Sequence, residues 1–429
     1  MTERITLQRK DALTLLRLHE EGEVVRVHMT ADFEMGGDES LLIGFFTDML
    51  VRGSKKYTKD VYEETLESLG AQVTISSSES YFHIDIIARK KTIPQVLEVL
   101  ADTIRSPLFV VKEIGNLKKE YTQHLYEERD DSRALSYGIF TRYLYLETES
   151  GYIPDIKTRL GSLNHIDRNT LISLHTTLLG LPWTVSIASD RDTATQITDI
   201  FSALHTRDIL ESGTKTNNPP KVLKSKKDLF LVPEKQNIEF YIGNRLPLTL
   251  ADEAFLPFSF GLDVLGKRGG FAGRLMSTVR EKEGLTYSIY AWIKGVTKTH
   301  SGHWQIWTFF TPKDTPQGLT STIREIRTIV EKGSTDVEIK RYKELLSNQF
   351  RLAHESTTST LSLYHSALVA GRTPEEVDQY PNRIQKLTKK AINDALRAYL
   401  TPDALVICGA GAVEPVRESG LKKKKSVTQ

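Results

Sequence analysis

With 429 residues, 39% hydrophobic and 26% charged, the chain has the composition of an ordinary globular protein and the length for two hydrophobic cores. A formal net charge of +2 removes any bulk electrostatic case for nucleic acid or membrane partners, and a single cysteine, Cys408, excludes an intrachain disulfide. No apolar run approaches the length of a membrane span, and the first residues scatter charges where a secretory signal needs an apolar core, so the expected location is cytoplasmic.

In chain order, residues 5–18 and 24–30 read as strands; in the second, Val25, Val27 and Met29 alternate with Arg26 and His28. Ser40 is the expected cap of a helix carrying Leu41, Leu42, Phe45, Phe46, Met49 and Leu50. Thr58 opens a second helix that Gly70 ends, and residues 72–78 and 81–88 read as a hairpin. An amphipathic helix at 93–104 has Pro94 in its first turn. Helices follow at 110–129, 133–147 and 167–178, then a strand at 183–189 and a helix at 192–204. The stretch 206–227, with Gly213, Asn217, Asn218, Pro219, Pro220 and several lysines, reads as an interdomain linker. Beyond it, strands at 228–232 and 238–243 precede a helix at 251–265.

The most informative stretch is Gly269 to Ala291, GGFAGRLMSTVREKEGLTYSIYA. Its glycines suit a tight turn, Arg274 to Glu283 suits a helix, and Gly284 stands where a left-handed C-cap belongs. Residues 285–291 alternate as a half-buried strand. This brings Arg280, near the helix end, close to Tyr287, at the strand start. A guanidinium fork plus a phenol hydroxyl suits a peptide carbonyl or the oxyanion formed when one is attacked; a surface Arg beside a packed Tyr fits the spacing too. The remainder reads as a strand at 302–310, helices at 318–332, 336–354 and 356–371, a short turn or helix at 374–380, a helix at 388–399 and a strand at 404–409. The two halves repeat in outline. Their hairpins argue for an α+β fold of two similar domains, each a mainly antiparallel sheet packed with helices. The expected division is 1–205, linker 206–227, 228–417 and a basic tail 418–429 containing Lys422 to Lys425.

This combination resembles the pitrilysin/insulinase family of zinc peptidases, in the short form related to mitochondrial processing peptidases and their LuxS/MPP-like fold. The likeness is carried by the Gly269–Ala291 stretch and by LVRGSKKYTKDVYEETLESLGAQVTISSSESYFHIDI. Active members carry His-x-x-Glu-His on the helix before that second stretch, two zinc ligands and a general base. Here the matching residues are Gly44, Phe45, Phe46, Thr47 and Asp48, and the third ligand position aligns with His124. Glu120, Glu127 and Glu128 read as a solvated helix face. No other catalytic set stands out, and Ser76, Ser77 and Ser78 form a polar strand end with no evident histidine partner.

The resemblance therefore implies a chain that binds no zinc itself. It implies a non-catalytic subunit of a heterodimeric peptidase acting on peptides or unfolded segments, with zinc and base in a paralogous partner. Arg280 and Tyr287 would complete that partner's site. Ser76, Ser77, Ser78, Gly269, Gly270 and Phe271 would edge the substrate chamber. The alternative is a structural or substrate-binding homologue with no peptidase role.

Overall fold

The computed structural model describes residues 4–10, 13–32, 37–78, 81–204, 225–267 and 273–413. In the first half come β1 (Ile5–Lys10), where half-buried Ile5 and Leu7 alternate with exposed Thr6 and Gln8, and then β2 (Leu13–His19) and β3 (Val24–Asp32), which carry the buried positions. Next come α1 (Ser40–Leu50), α2 (Lys59–Ser68), the hairpin β4 (Gln72–Ser78) and β5 (Tyr81–Arg89), and α3 (Ile93–Arg105). Helices α4 (Val111–Arg129), α5 (Ser132–Leu144), α6 (Ile156–His165) and α7 (Arg168–Leu179) lead to β6 (Trp183–Ser189) and α8 (Arg191–Leu204).

The second half runs β7 (Lys226–Leu231), β8 (Ile238–Leu246), α9 (Phe255–Gly266), a π-helix (Met276–Lys282), β9 (Ile289–Lys294) and β10 (Gly302–Phe310). It continues through α10 (Thr315–Lys332), α11 (Asp336–Ala353), α12 (Thr357–Val369), α13 (Pro374–Asp378), α14 (Tyr380–Lys386) and α15 (Lys389–Tyr399) to β11 (Val406–Gly411).

Two sheets result, in the orders β1-β2-β6-β3-β5-β4 and β7-β11-β8-β10-β9. From β2 and β7 onward the two orders correspond strand for strand. Each sheet has one parallel pair, β2 with β6 and β7 with β11, and its other pairs are antiparallel. The predicted α+β class and the mainly antiparallel sheets hold. One core lies between the first sheet and helices α1 to α4, α6, α7 and α8; another lies between the second sheet and helices including α9, α10, α11 and α15.

The halves also exchange packing helices. From the first half, α5 lays Ile139, Phe140 and Leu144 against Tyr241, Val406 and Cys408 of the second sheet. From the second half, α12 lays Leu361, Tyr364 and Leu368 against Leu16, Leu18 and Ala188 of the first.

Several local expectations need correction. Ser40 is not the cap of α1; Glu39 holds that position, and the Ser40 hydroxyl donates to the Gly37 carbonyl at 2.9 Å inside the first turn. The first predicted strand is two strands of a hairpin, β1 and β2. Helices α6 and α14 went unpredicted. Lys226 and Lys227 do not end a linker: they begin β7, paired in parallel with β11, and the Lys226 ammonium sits 4.4 Å from the centre of the Tyr143 ring. A backbone ladder outweighs the lysine-rich composition there. The linker up to residue 224 and the tail 418–429 lie outside the described residues. Cys408 is buried as expected, and burial pushes its thiol pKa well up.

Candidate functional site

The helix α1 carries the positions where the resemblance looks for a metal motif. Phe45 and Phe46 are fully buried in the first core. Thr47 is buried too, and its hydroxyl donates to the Ile43 carbonyl at 2.7 Å, turned back on its own helix. Asp48 accepts a 2.7 Å hydrogen bond from the Tyr121 hydroxyl of α4. A side chain at Gly44 would start 3.3 Å from that same hydroxyl and 3.8 Å from the Ser77 hydroxyl of β4. Burial first, and then the Asp48 charge, pushes the Tyr121 pKa well above its ordinary value, so the phenol stays a donor.

Tyr121, not His124, is therefore the α4 residue that meets the motif positions, and His124 is exposed. The stripe Ile114, Leu117, Tyr121 and Leu125 explains this, because helical spacing turns Tyr121 inward and His124 away. The acidic face of α4 is largely solvated as expected: Glu120 and Glu127 are exposed, Glu120 pairing with Arg52 at 2.6 Å, and only Glu128, paired with Arg159 at 2.8 Å, is half-buried. Gly44, Thr47, Asp48 and Tyr121 do not make a zinc site: one carboxylate is engaged by a phenol, one hydroxyl by a carbonyl, and none of the four is a histidine. Among the described residues no group of three or more His, Cys, Asp or Glu could hold a metal.

The three serines divide between the two faces of β4. Ser77 pairs with Phe82 on the core side, under α1, whereas Ser76 and Ser78 pair with His83 and Tyr81 on the other face. The expectation that no histidine partners them is corrected: the Ser78 hydroxyl lies 2.7 Å from His83 Nε2. β4 is the terminal strand of its sheet.

The second candidate lies between α9 and β9. A Cβ on Gly273 would fall 2.8 Å from Gly266 Cα, so this close approach to α9 admits only glycine. Arg274 then anchors the chain. Its guanidinium donates to both Glu338 carboxylate oxygens, at 2.5 and 2.7 Å, and to the Gly333 carbonyl at 2.8 Å. From Met276 to Lys282 the helix is of π type, not the expected α-helix. The Glu283 N–H reaches back five residues to the Thr278 carbonyl at 3.0 Å. Gly284, at φ 67°, closes it as the expected left-handed cap.

Residues 285–288 form a connection, not a strand; β9 starts only at Ile289. The reason is tertiary. The Thr308 hydroxyl of β10 bonds the Ser288 carbonyl at 3.0 Å and lies 3.4 Å from the Thr286 hydroxyl, pinning the connection on both sides of Tyr287. Leu285 and Thr286 are buried, and Tyr287 stands out at 72% exposure. The Arg280 guanidinium lies over its ring, 4.8 Å from the centre. The predicted Arg280 and Tyr287 pair is thus brought together at the surface. Gly269, Gly270 and Phe271 lie outside the described residues.

Comparison with known proteins matches two profiles to this chain. Residues 44–136 match "Insulinase (Peptidase family M16)", and residues 185–346 match "Peptidase M16 inactive domain". The chain belongs to the M16 peptidase family. A Helicobacter pylori protein described as the non-peptidase homolog YmxG is 22% identical over 83% of this chain and 81% of its own length. A Bacillus subtilis protein described as the uncharacterized zinc protease YmxG is 28% identical over 33% of this chain and 34% of its own. Among solved structures, a peptidase M16 inactive domain from Pseudomonas fluorescens superposes with a TM-score of 0.83 at 17% identity, covering 96% of this chain and 100% of that one. A protease from Helicobacter pylori gives 0.78 at 12% identity, covering 95% and 99%. These superpositions show that this M16 chain has the fold of those proteins. No helix among the described residues is long and apolar enough to cross a membrane.

Proposed function

We propose that this chain is the non-catalytic subunit of a two-chain M16 peptidase and completes a site whose zinc and general base belong to a paralogous partner. The observation that carries the reading is the Arg280 and Tyr287 pair, held by a braced π-helix and a pinned connection, in a chain whose motif positions Gly44, Phe45, Phe46, Thr47 and Asp48 include no histidine. Arg280 would offer guanidinium donors, and Tyr287 a hydroxyl, to a substrate carbonyl and to the oxyanion that forms on it. Such donors act separately from the generation of the nucleophile, so two chains can divide the work. The terminal strand β4, with Ser77 beside the space left by Gly44, would border the chamber holding a peptide or unfolded segment. Ser76, Ser78, Gly269, Gly270 and Phe271 belong to that border in the same reading.

The Helicobacter relative's description as a non-peptidase homolog favours a second reading, a substrate-binding or structural protein with no peptidase role. Peptide hydrolysis by this chain alone, by a chain with intact His-x-x-Glu-His alone, and by their mixture separates the two. The divided site predicts cleavage only in the mixture. Cleavage by this chain alone, with bound zinc, contradicts it, and a stable complex with no cleavage supports the second reading.

A further inference from the structure

Helix α12 comes from the second half of the chain, yet it is tied to the first sheet through imidazoles. His365 of α12 has both ring nitrogens engaged: Nε2 lies 2.8 Å from the Thr30 hydroxyl of β3 and Nδ1 lies 2.9 Å from the Ser186 hydroxyl of β6. Thr30 also reaches His83 Nδ1 of β5 at 3.0 Å, and His83 Nε2 meets Ser78 at 2.7 Å. One turn earlier on α12, Ser362 lies 3.1 Å from His28 Nε2, whose Nδ1 bonds Asp85. We propose that this relay, Ser186–His365–Thr30–His83–Ser78, is an acid-released latch that holds α12 against the first sheet.

The reason lies in where a second proton would put its charge. A hydroxyl oxygen accepts as well as donates, so Thr30 and Ser186 can hydrogen-bond His365 in either protonation state. The cost of the cation is its burial: a second proton places a positive charge between Thr30 and Ser186, which are 3% and 0% exposed and carry no negative charge to offset it.

Charged and titratable groups share the relay's face of the sheet. β3 contributes His28, 5.5 Å from His365 between ring centres, with Arg26 and Asp32 on the same strand face. β5 contributes His83 and Asp85, with Tyr81 6.1 Å from His83 between ring centres and Arg89 at the end of that face, and β6 contributes none. On α12 the only other titratable side chain, Tyr364, donates to Asp378 of α13. Burial first, then His28, holds the His365 pKa down to about 3 despite Asp85, and burial lowers His83 too. With α12 released from the sheet, the His365 ring returns toward 6.5 and takes a proton. The opened form thus gains on the closed one as pH falls below about 6.5.

Hydrogen exchange of the α12 amides in the full chain, corrected for intrinsic rates, tests this between pH 7.5 and 5.5. The wild type should lose about tenfold or more in protection. His365→Gln, which keeps a donor and an acceptor but cannot titrate, should change less than about twofold. Equal losses in both proteins, or no loss in the wild type, overturn the proposal. A carbon-13 titration of the wild-type imidazoles needs no variant and covers the case in which His365→Gln fails to fold. His365 should remain neutral at pH 5 while α12 is protected, and titration near 6.5 with α12 still protected contradicts the latch.

Discussion

At Gly44 the absence of a side chain leaves room for the Tyr121 hydroxyl, and that hydroxyl takes up Asp48. The pair closes the face of α1 where a metal would sit in active relatives of the resembled kind. Tyr121→Phe removes the donor and leaves a half-buried carboxylate unpaired, so it should cost about 1–2 kcal/mol in urea unfolding; an unchanged midpoint would show that Asp48 is already satisfied by water. The loss of both histidines and the base was readable at positions 44–48. The facing residue is also readable, in the stripe Ile114, Leu117, Tyr121 and Leu125, whereas the resemblance aligns the third ligand position with His124. The link between Ser78 and His83 depends on the hairpin register, which sequence alone leaves open.

The π-helix and the connection after it show what an element inherits from its neighbours. Its end was legible, because Gly284 adopts the φ of 67° that a left-handed cap needs. Its width was not, since the five-residue reach from Glu283 to Thr278 depends on how both ends are held. Arg274 holds the start through Glu338, and Glu283 holds the finish through Arg324 at 2.5 Å. The late start of β9 follows from Thr308 across the sheet, invisible to local alternation. Two outcomes belong here. Gly284→Ala should destabilise by about 1 kcal/mol, because a Cβ disfavours that backbone region; no change in melting would place the strain elsewhere. Arg274→Ala removes a two-pronged ion pair that is mostly buried and should cost about 2–4 kcal/mol, with Glu338→Gln milder. Equal effects of the two would contradict the asymmetry.

Across the whole molecule, the repetition of element order was legible from the halves of the sequence, and the matching strand orders of the two sheets bear it out. The exchange of α5 and α12 was not, because an apolar helix face does not say whose sheet it covers. Each exchange buries an imidazole: His365 at one, and at the other His303, which takes a bond from Tyr145 at 2.5 Å and places Nε2 2.8 Å from Gln305. Burial drives both pKa values down to about 3. Both stay neutral when folded and protonate near 6.5 when unfolded. Their stabilisation is complete above about pH 6.5 and is lost as pH falls toward 3, by about 1.4 kcal/mol per pH unit for each. Urea unfolding at pH 7 and at pH 5 should therefore differ by a few kcal/mol, and a flat profile would mean that both rings titrate freely in the folded protein.

The divided active site rests most heavily on Arg280 and Tyr287, and their substitution in a reconstituted pair tests it most directly. With a partner carrying intact His-x-x-Glu-His, Arg280→Ala and Tyr287→Phe should each lower kcat by about 10²–10³-fold while the two chains still co-elute. Full activity of the assembled variants would contradict the role assigned to this pair and leave the chain as scaffold.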